Sequence, residues 1–148
     1  MTQVRSEKPV LLITGASAGI GDGVARRFAA GGFRIVAVAR RRERLERLAA
    51  DLSDLTDVEI VVTDVTAKDA AERSVAAAMS AFGRLDCLVN NAGSGRWGRV
   101  RETTDEMLDE VIETSLKAPF RFSRAALGVM LPDSSIINVG STFGLLGG

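Results

Sequence analysis

The sequence predicts an α/β protein on a parallel sheet, and three observations carry that prediction. Short β-rich runs alternate with longer helical patterns along the whole chain, the rhythm of repeated strand-helix-strand units. The runs "PVLLITG" and "FRIVAVA" are apolar without alternation, as central parallel strands covered on both faces must be. The first of these runs leads directly into the glycine-rich turn "TGASAGIG" and then a helix. Five strands and four helices are expected. They form one domain over residues 8–148 after a flexible lead at residues 1–7.

In chain order, the helix after the first strand carries Ile20, Val24 and Phe28 at i, i+4, i+8 and stops at Gly31 and Gly32. "FRIVAVA" is the second strand, and Leu45, Leu48, Leu52 and Leu55 form the apolar stripe of the helix after it. "VEIVVTDV" is the third strand, followed by the alanine-rich "AKDAAERSVAAAMSAFG", which Gly83 ends. "LDCLVNNAG" is the fourth strand. The long helical pattern "TTDEMLDEVIETSLKAPFRFSRAALGVML" opens on a capping box, Thr103 with Glu106 three residues on, and closes at Pro132. Within it, Pro119 should kink or divide the helix. "SIINVGS" is a β-branched run that reads as a buried fifth strand. No repeat, linker or low-complexity tract interrupts the 148 residues.

Composition narrows the chemistry. Nineteen basic residues balance nineteen acidic ones, so there is no general attraction to nucleic acid. The apolar runs are far shorter than the roughly 20 residues a membrane span requires. "MTQVRSEK" has no apolar core, so a cytoplasmic protein without a signal peptide is expected. The single Cys87 sits in the apolar run "LDCLVN" as a small buried hydrophobe. The chain contains no His and no Tyr. That excludes a Ser-His or Cys-His relay, leaves few metal sites and removes the phenolic acid-base.

"TGASAGIG" places Gly15, Gly19 and Gly21 where a strand hands over to a helix. A phosphate there meets free backbone N–H groups and the positive end of the helix dipole, and glycine permits close approach. The spacing is not G-x-G-x-x-G, and no Gly-Lys-Ser/Thr follows as in a P-loop. "TGASAGIG" together with "NNAG", Asn90 to Gly93, resembles the short-chain dehydrogenase/reductase family from about Lys8 onward, and is similar to its 3-oxoacyl-acyl-carrier-protein reductases. The resemblance implies a Rossmann-type doubly wound sheet in the order 3-2-1-4-5, lacking the family's carboxyl-terminal strands. It also implies hydride transfer between NAD or NADP and a small-molecule carbonyl or alcohol.

Carried onto this chain, the family's cofactor contacts fall on Gly15, Ser17, Gly19, Ile20 and Gly21. Asp64 and Val65 match the adenine position, and Asn91, Ala92 and Gly93 match the backbone that passes the ribose. An acid at the end of the second strand would bind the ribose 2'-hydroxyl of NAD and repel the extra phosphate of NADP. Here Ala39 is followed by Arg40, Arg41 and Arg42, so NADP is favoured, with Arg40 or Arg41 on the phosphate and Ser17 adding a hydroxyl.

By the same resemblance Ser141 is the serine that orients the substrate carbonyl, and Ser115 stands where the family usually has an Asn of its proton relay. Lys117 is a surface lysine. The family's Tyr-x-x-x-Lys, whose lysine lowers the phenol's pKa, is absent from these residues. The expectation is therefore the amino-terminal part of an NADP-dependent reductase, and its rival a non-catalytic nucleotide-binding module with the same fold. The loop "GSGRWGRVRE" with Trp97 is expected to border the pocket. A homo-oligomer is expected through the helix starting near Thr104.

Overall fold

Why the first strand is buried throughout is clear from its neighbours. In the computed structural model, which describes residues 8–95 and 98–142, β1 (Val10–Thr14) lies between β2 (Arg34–Ala39) and β4 (Cys87–Asn90), parallel to both. β3 (Val58–Val62) pairs with the outer side of β2, and β5 (Ser135–Asn138) with the outer side of β4. The order is thus 3-2-1-4-5, all parallel. Successive residues of these strands feed opposite faces. Leu12, Val36, Val38, Leu88 and Phe122 build one core under α3 (Ala70–Phe82) and α5 (Ala118–Leu127). Leu11, Ile13, Ile35 and Val89 build the other with Leu45 and Leu48, under α1 (Gly19–Ala30) and α2 (Arg42–Leu52). The sheet is doubly wound, as the sequence implied.

Several local expectations are corrected. α1 presses Gly21, Ala25 and Ala29 onto the sheet, whereas Ile20 is 66% exposed and Val24 and Phe28 are half-buried at the edges. Small residues win this face because the helix runs close over the sheet; Phe28 instead stacks edge-on against Phe33, centroids 4.9 Å apart. Leu55 lies past the end of α2 and is exposed. Gly31 and the left-handed Gly83 end α1 and α3 as expected.

The long helix is capped by Thr104, whose hydroxyl accepts from Met107 N, while Thr103 donates to Arg99 O instead. α4 (Asp105–Ile112) runs through a π-turn (Glu113–Lys117) into α5 without a break. Proline at 119 has no N–H to give the carbonyl four residues earlier, and the wider turn just ahead of it absorbs that mismatch. The helix ends at Leu127, before Pro132. Among the described residues β5 has a neighbour only in β4, and Ile137 is 44% exposed, so the expected burial is not found there. The expected lead 1–7, Arg96 and Trp97 of the loop, and residues 143–148 lie outside the described residues.

Candidate functional site

The site begins with the turn after β1. Gly15 N and Ala16 N both donate to Val38 O, at 2.8 and 3.2 Å, folding the turn back over β2. Gly15 has φ +70°, and a Cβ on it would lie 2.9 Å from Asn91 Nδ2. Gly21 is tighter still, its Cβ position only 2.2 Å from Gly15 O. Both glycines are needed for backbone to meet backbone here.

Thr14 laces the two strand ends together. Only 3% exposed, it accepts from Asn91 N and Ala92 N at 3.0 Å each, and Asn91 Nδ2 returns a bond to Thr14 O at 3.1 Å. The chain leaves β1 toward one face and β4 toward the other, and between the two carboxyl ends a cleft of about 950 Å³ opens. At its floor, α1 starts at Ala18 without a side-chain cap. Its first N–H groups are therefore available to an anion, with open space above Gly19, φ +58°.

One corner of the cleft is cationic. Arg41 donates to Ser17 Oγ through Nη2 at 2.9 Å and Nε at 3.3 Å. Arg40 reaches Asp64 Oδ2 at 3.6 Å from a largely exposed position. Asp64 itself accepts from Thr66 N and Thr66 Oγ1, at 2.9 and 2.8 Å. The Thr66 amide bond is the main cause holding its carboxyl below the ordinary 3.8, with the Arg40 charge adding to it.

Across the cleft the wall is the acidic side of α4. There Glu113 accepts from Lys117 and Arg121, and the Lys117 bond chiefly holds its carboxyl below the usual range. Arg121 also donates to Thr66 O at 3.3 Å, tying the long helix to the loop after β3.

Of the residues singled out in sequence, Gly15, Ser17, Arg40, Arg41, Asp64, Val65, Asn91, Ala92 and Gly93 line this cleft together. Gly21 is buried under the turn, and Gly19 and Ile20 stand exposed at the start of α1. Ser115 is exposed in the π-turn, where its neighbours Glu113 and Thr114 line the cleft instead. Ser141 is exposed three residues past β5 and is not in the lining. Sequence reasoning missed Thr14 as a lacing residue, though it stands in the quoted turn. It also missed Arg121, whose partner Thr66 is 55 residues away in sequence, too far for any spacing to signal.

A doubly wound sheet with an uncapped helix and a glycine turn at its switch point defines the Rossmann class of nucleotide-binding folds. The chain belongs to the short chain dehydrogenase family, whose profile matches residues 9–148. It is 37% identical over 147 residues to an acetoacetyl-CoA reductase of Acinetobacter sp., covering 96% of this chain and 59% of that one. Among solved structures, it superposes with a TM-score of 0.88 on a 3-oxoacyl-[acyl-carrier protein] reductase from Brucella melitensis in complex with NAD, at 32% identity, covering 96% of this chain and 59% of that one. A short chain dehydrogenase from Burkholderia cenocepacia in complex with NADP gives 0.91 at 28% identity, with 98% and 60% covered. The chain thus spans somewhat over half the length of these relatives, and both cofactors occur among them. No described helix is long and apolar enough to cross a membrane.

Proposed function

We propose that the cleft holds NADP(H) for hydride transfer to or from a small-molecule carbonyl or alcohol. The observation that carries the reading is the Ser17–Arg41–Arg40 corner at the end of β2, with Ala39 where an acid would favour NAD. Bound there, the dinucleotide supplies the hydride. The chain's own residues bind and orient it: the α1 amides and Gly15 take the pyrophosphate, Asp64 and Val65 the adenine, and Asn91, Ala92 and Gly93 the ribose. Gly19, Ile20 and Gly21 shape the start of α1 for that contact. Arg41 carries more of the 2'-phosphate than Arg40, because its partner is a neutral hydroxyl while Arg40 already faces Asp64.

Ser141 is assigned to the substrate carbonyl and Ser115 to water-mediated proton supply. The names of the relatives make a 3-oxoacyl thioester the first carbonyl class to test; the cytoplasm is the location expected from an amino-terminal stretch without an apolar core. Because the 148 residues contain no tyrosine, the test is binding rather than turnover. Fluorescence titration of the purified chain should show NADPH binding more tightly than NADH. Losing a hydrogen bond to a charged group costs about 1.5–3 kcal/mol, so Arg41→Ala should weaken NADPH roughly 10- to 100-fold. NADH binding should be left nearly unchanged, with a smaller loss for Arg40→Ala. Equal affinities for the two cofactors in the wild type would overturn the assignment.

A further inference from the structure

The wall of the cleft carries a residue to which the cofactor reading gives no task. Arg121 of α5 lines the cleft, and its side chain is only 21% exposed. From Nη1 it donates to Thr66 O at 3.3 Å and to Glu113 Oε2 at 3.2 Å. A guanidinium held between a carboxylate and a backbone carbonyl has a fixed place, because its planar fork loses little freedom for each bond it makes.

The π-turn is what lets the first of these partners meet it. Glu113 and Arg121 are eight positions apart, which in a straight α-helix sets them about 80° apart around the axis. The π-turn at Glu113–Lys117 adds a residue and takes back about 100°, so the two fall within about 20° of one line. The Arg121 side chain leans back along the helix toward Glu113. Lys117 donates to the other carboxylate oxygen, Glu113 Oε1. Glu113 is thereby held at both oxygens, and it in turn orients Arg121.

The second partner leads to the base end of the cleft. Thr66 N and Thr66 Oγ1 both donate to Asp64 Oδ1, at 2.9 and 2.8 Å. Oδ2 is left with Arg40, which approaches it at 3.6 Å from an exposed position. The loop's own backbone bonds are local: Ala67 N donates to Asp64 O and Ala70 N to Ala67 O, both at 3.1 Å. Such bonds shape the loop without fixing it against the long helix. The bond from Arg121 crosses 55 residues and does so.

We propose that Arg121 is a positioning residue for base recognition: it holds Thr66, and through Thr66 the Asp64 carboxylate, where adenine is told from a base without an amino group. The inference rests on the assignment of Asp64 and Val65 to the adenine. An ionised carboxylate only accepts hydrogen bonds. Asp64 Oδ2 therefore takes the 6-amino group of adenine as a donor, whereas the 6-carbonyl of hypoxanthine meets it lone pair to lone pair.

Fluorescence titration of the purified chain with NADPH and with its hypoxanthine analogue should show a preference for adenine of roughly 10-fold, a hydrogen bond to a charged group being at stake. Arg121→Met keeps the apolar stem and removes the donors, and should bring that preference below about 2-fold. Glu113→Ala should remove part of it. Arg121→Lys should recover part of what Arg121→Met loses, since a cation can again reach Thr66 O. In the chain without cofactor, Arg121→Met should speed amide exchange at Thr66 and Ala67 and not at Asn91 and Ala92.

Unchanged exchange at Thr66 and Ala67 would overturn the tie through Arg121, whatever the cofactor. Faster exchange there with the base preference intact would overturn the positioning role and leave the cofactor reading standing. A wild type indifferent to the two bases would remove the adenine assignment and this inference with it.

Discussion

The ends of β1 and β5 are equivalent places in one parallel sheet, yet they are built to different standards. Thr14 at the end of β1 is 3% exposed, paired with Val38 of β2 and laced to Asn91 and Ala92 after β4 by three hydrogen bonds. Among the described residues β5 pairs only with β4, and Ile137 and Val139 just before Gly140 are 44% and 40% exposed. Its strongest side-chain tie is the bond of 2.8 Å from Asn90 Nδ2 to Asn138 Oδ1, at the last rung of the β4–β5 register. The difference shows what holds a functional strand end still. Burial on both faces and pairing of β1 on both edges hold the glycine turn, whereas β5 pairs along one edge among the described residues.

Substitutions can break this contrast or sharpen it. Phe122 is fully buried where α5 packs against α3 and β4, and Phe122→Ala should cost about 3–5 kcal/mol in urea unfolding. Ile137→Ala on β5 should cost less than about 1 kcal/mol. Comparable losses would mean that β5 is as well packed as the centre. Gly21→Ala drives a methyl onto the Gly15 carbonyl, which is backbone and cannot swing aside. A destabilisation of about 3 kcal/mol, together with lost NADPH binding, is expected.

Thr14→Val keeps the shape of the side chain but orphans the Asn91 and Ala92 amides, costing about 1–3 kcal/mol. Amide exchange should then speed up at Asn91 and Ala92 and not along β5. The smallest effect is one of pH. Asp64 ionises more readily folded than unfolded, so its contribution is fully present above its ordinary 3.8 and is lost as pH falls below that toward the lowered folded value. Asp64→Asn should flatten that acid limb of the urea midpoint, and an unchanged slope would remove Asp64 from it.

Much of the cleft was legible because its parts are local. Gly15, Ser17 and Gly21 lie in one turn, and Arg40 and Arg41 follow one strand, so strand-turn-helix context was enough to mark them. The misreadings come from places where periodicity and depth disagree. Ile20, Val24 and Phe28 have helical spacing, but α1 lies too close to the sheet for large side chains, and Gly21, Ala25 and Ala29 take that face. "SIINVGS" has the composition of a buried strand, but burial depends on neighbours that composition does not name.

The sequence by itself determined the alternation of strands and helices, the glycine turn and the cationic residues after β2. These rest on propensity, spacing and charge, which are properties of a few consecutive residues. Only the tertiary structure decided that Thr14 joins β1 to the residues after β4, that Arg121 ties the long helix to Thr66, and that α4 passes into α5 through a π-turn. The first two are contacts between segments far apart in the chain, and the third is a shift of helix hydrogen bonding that spacing alone does not announce. Sequence spacing cannot encode them until the sheet has set the distances.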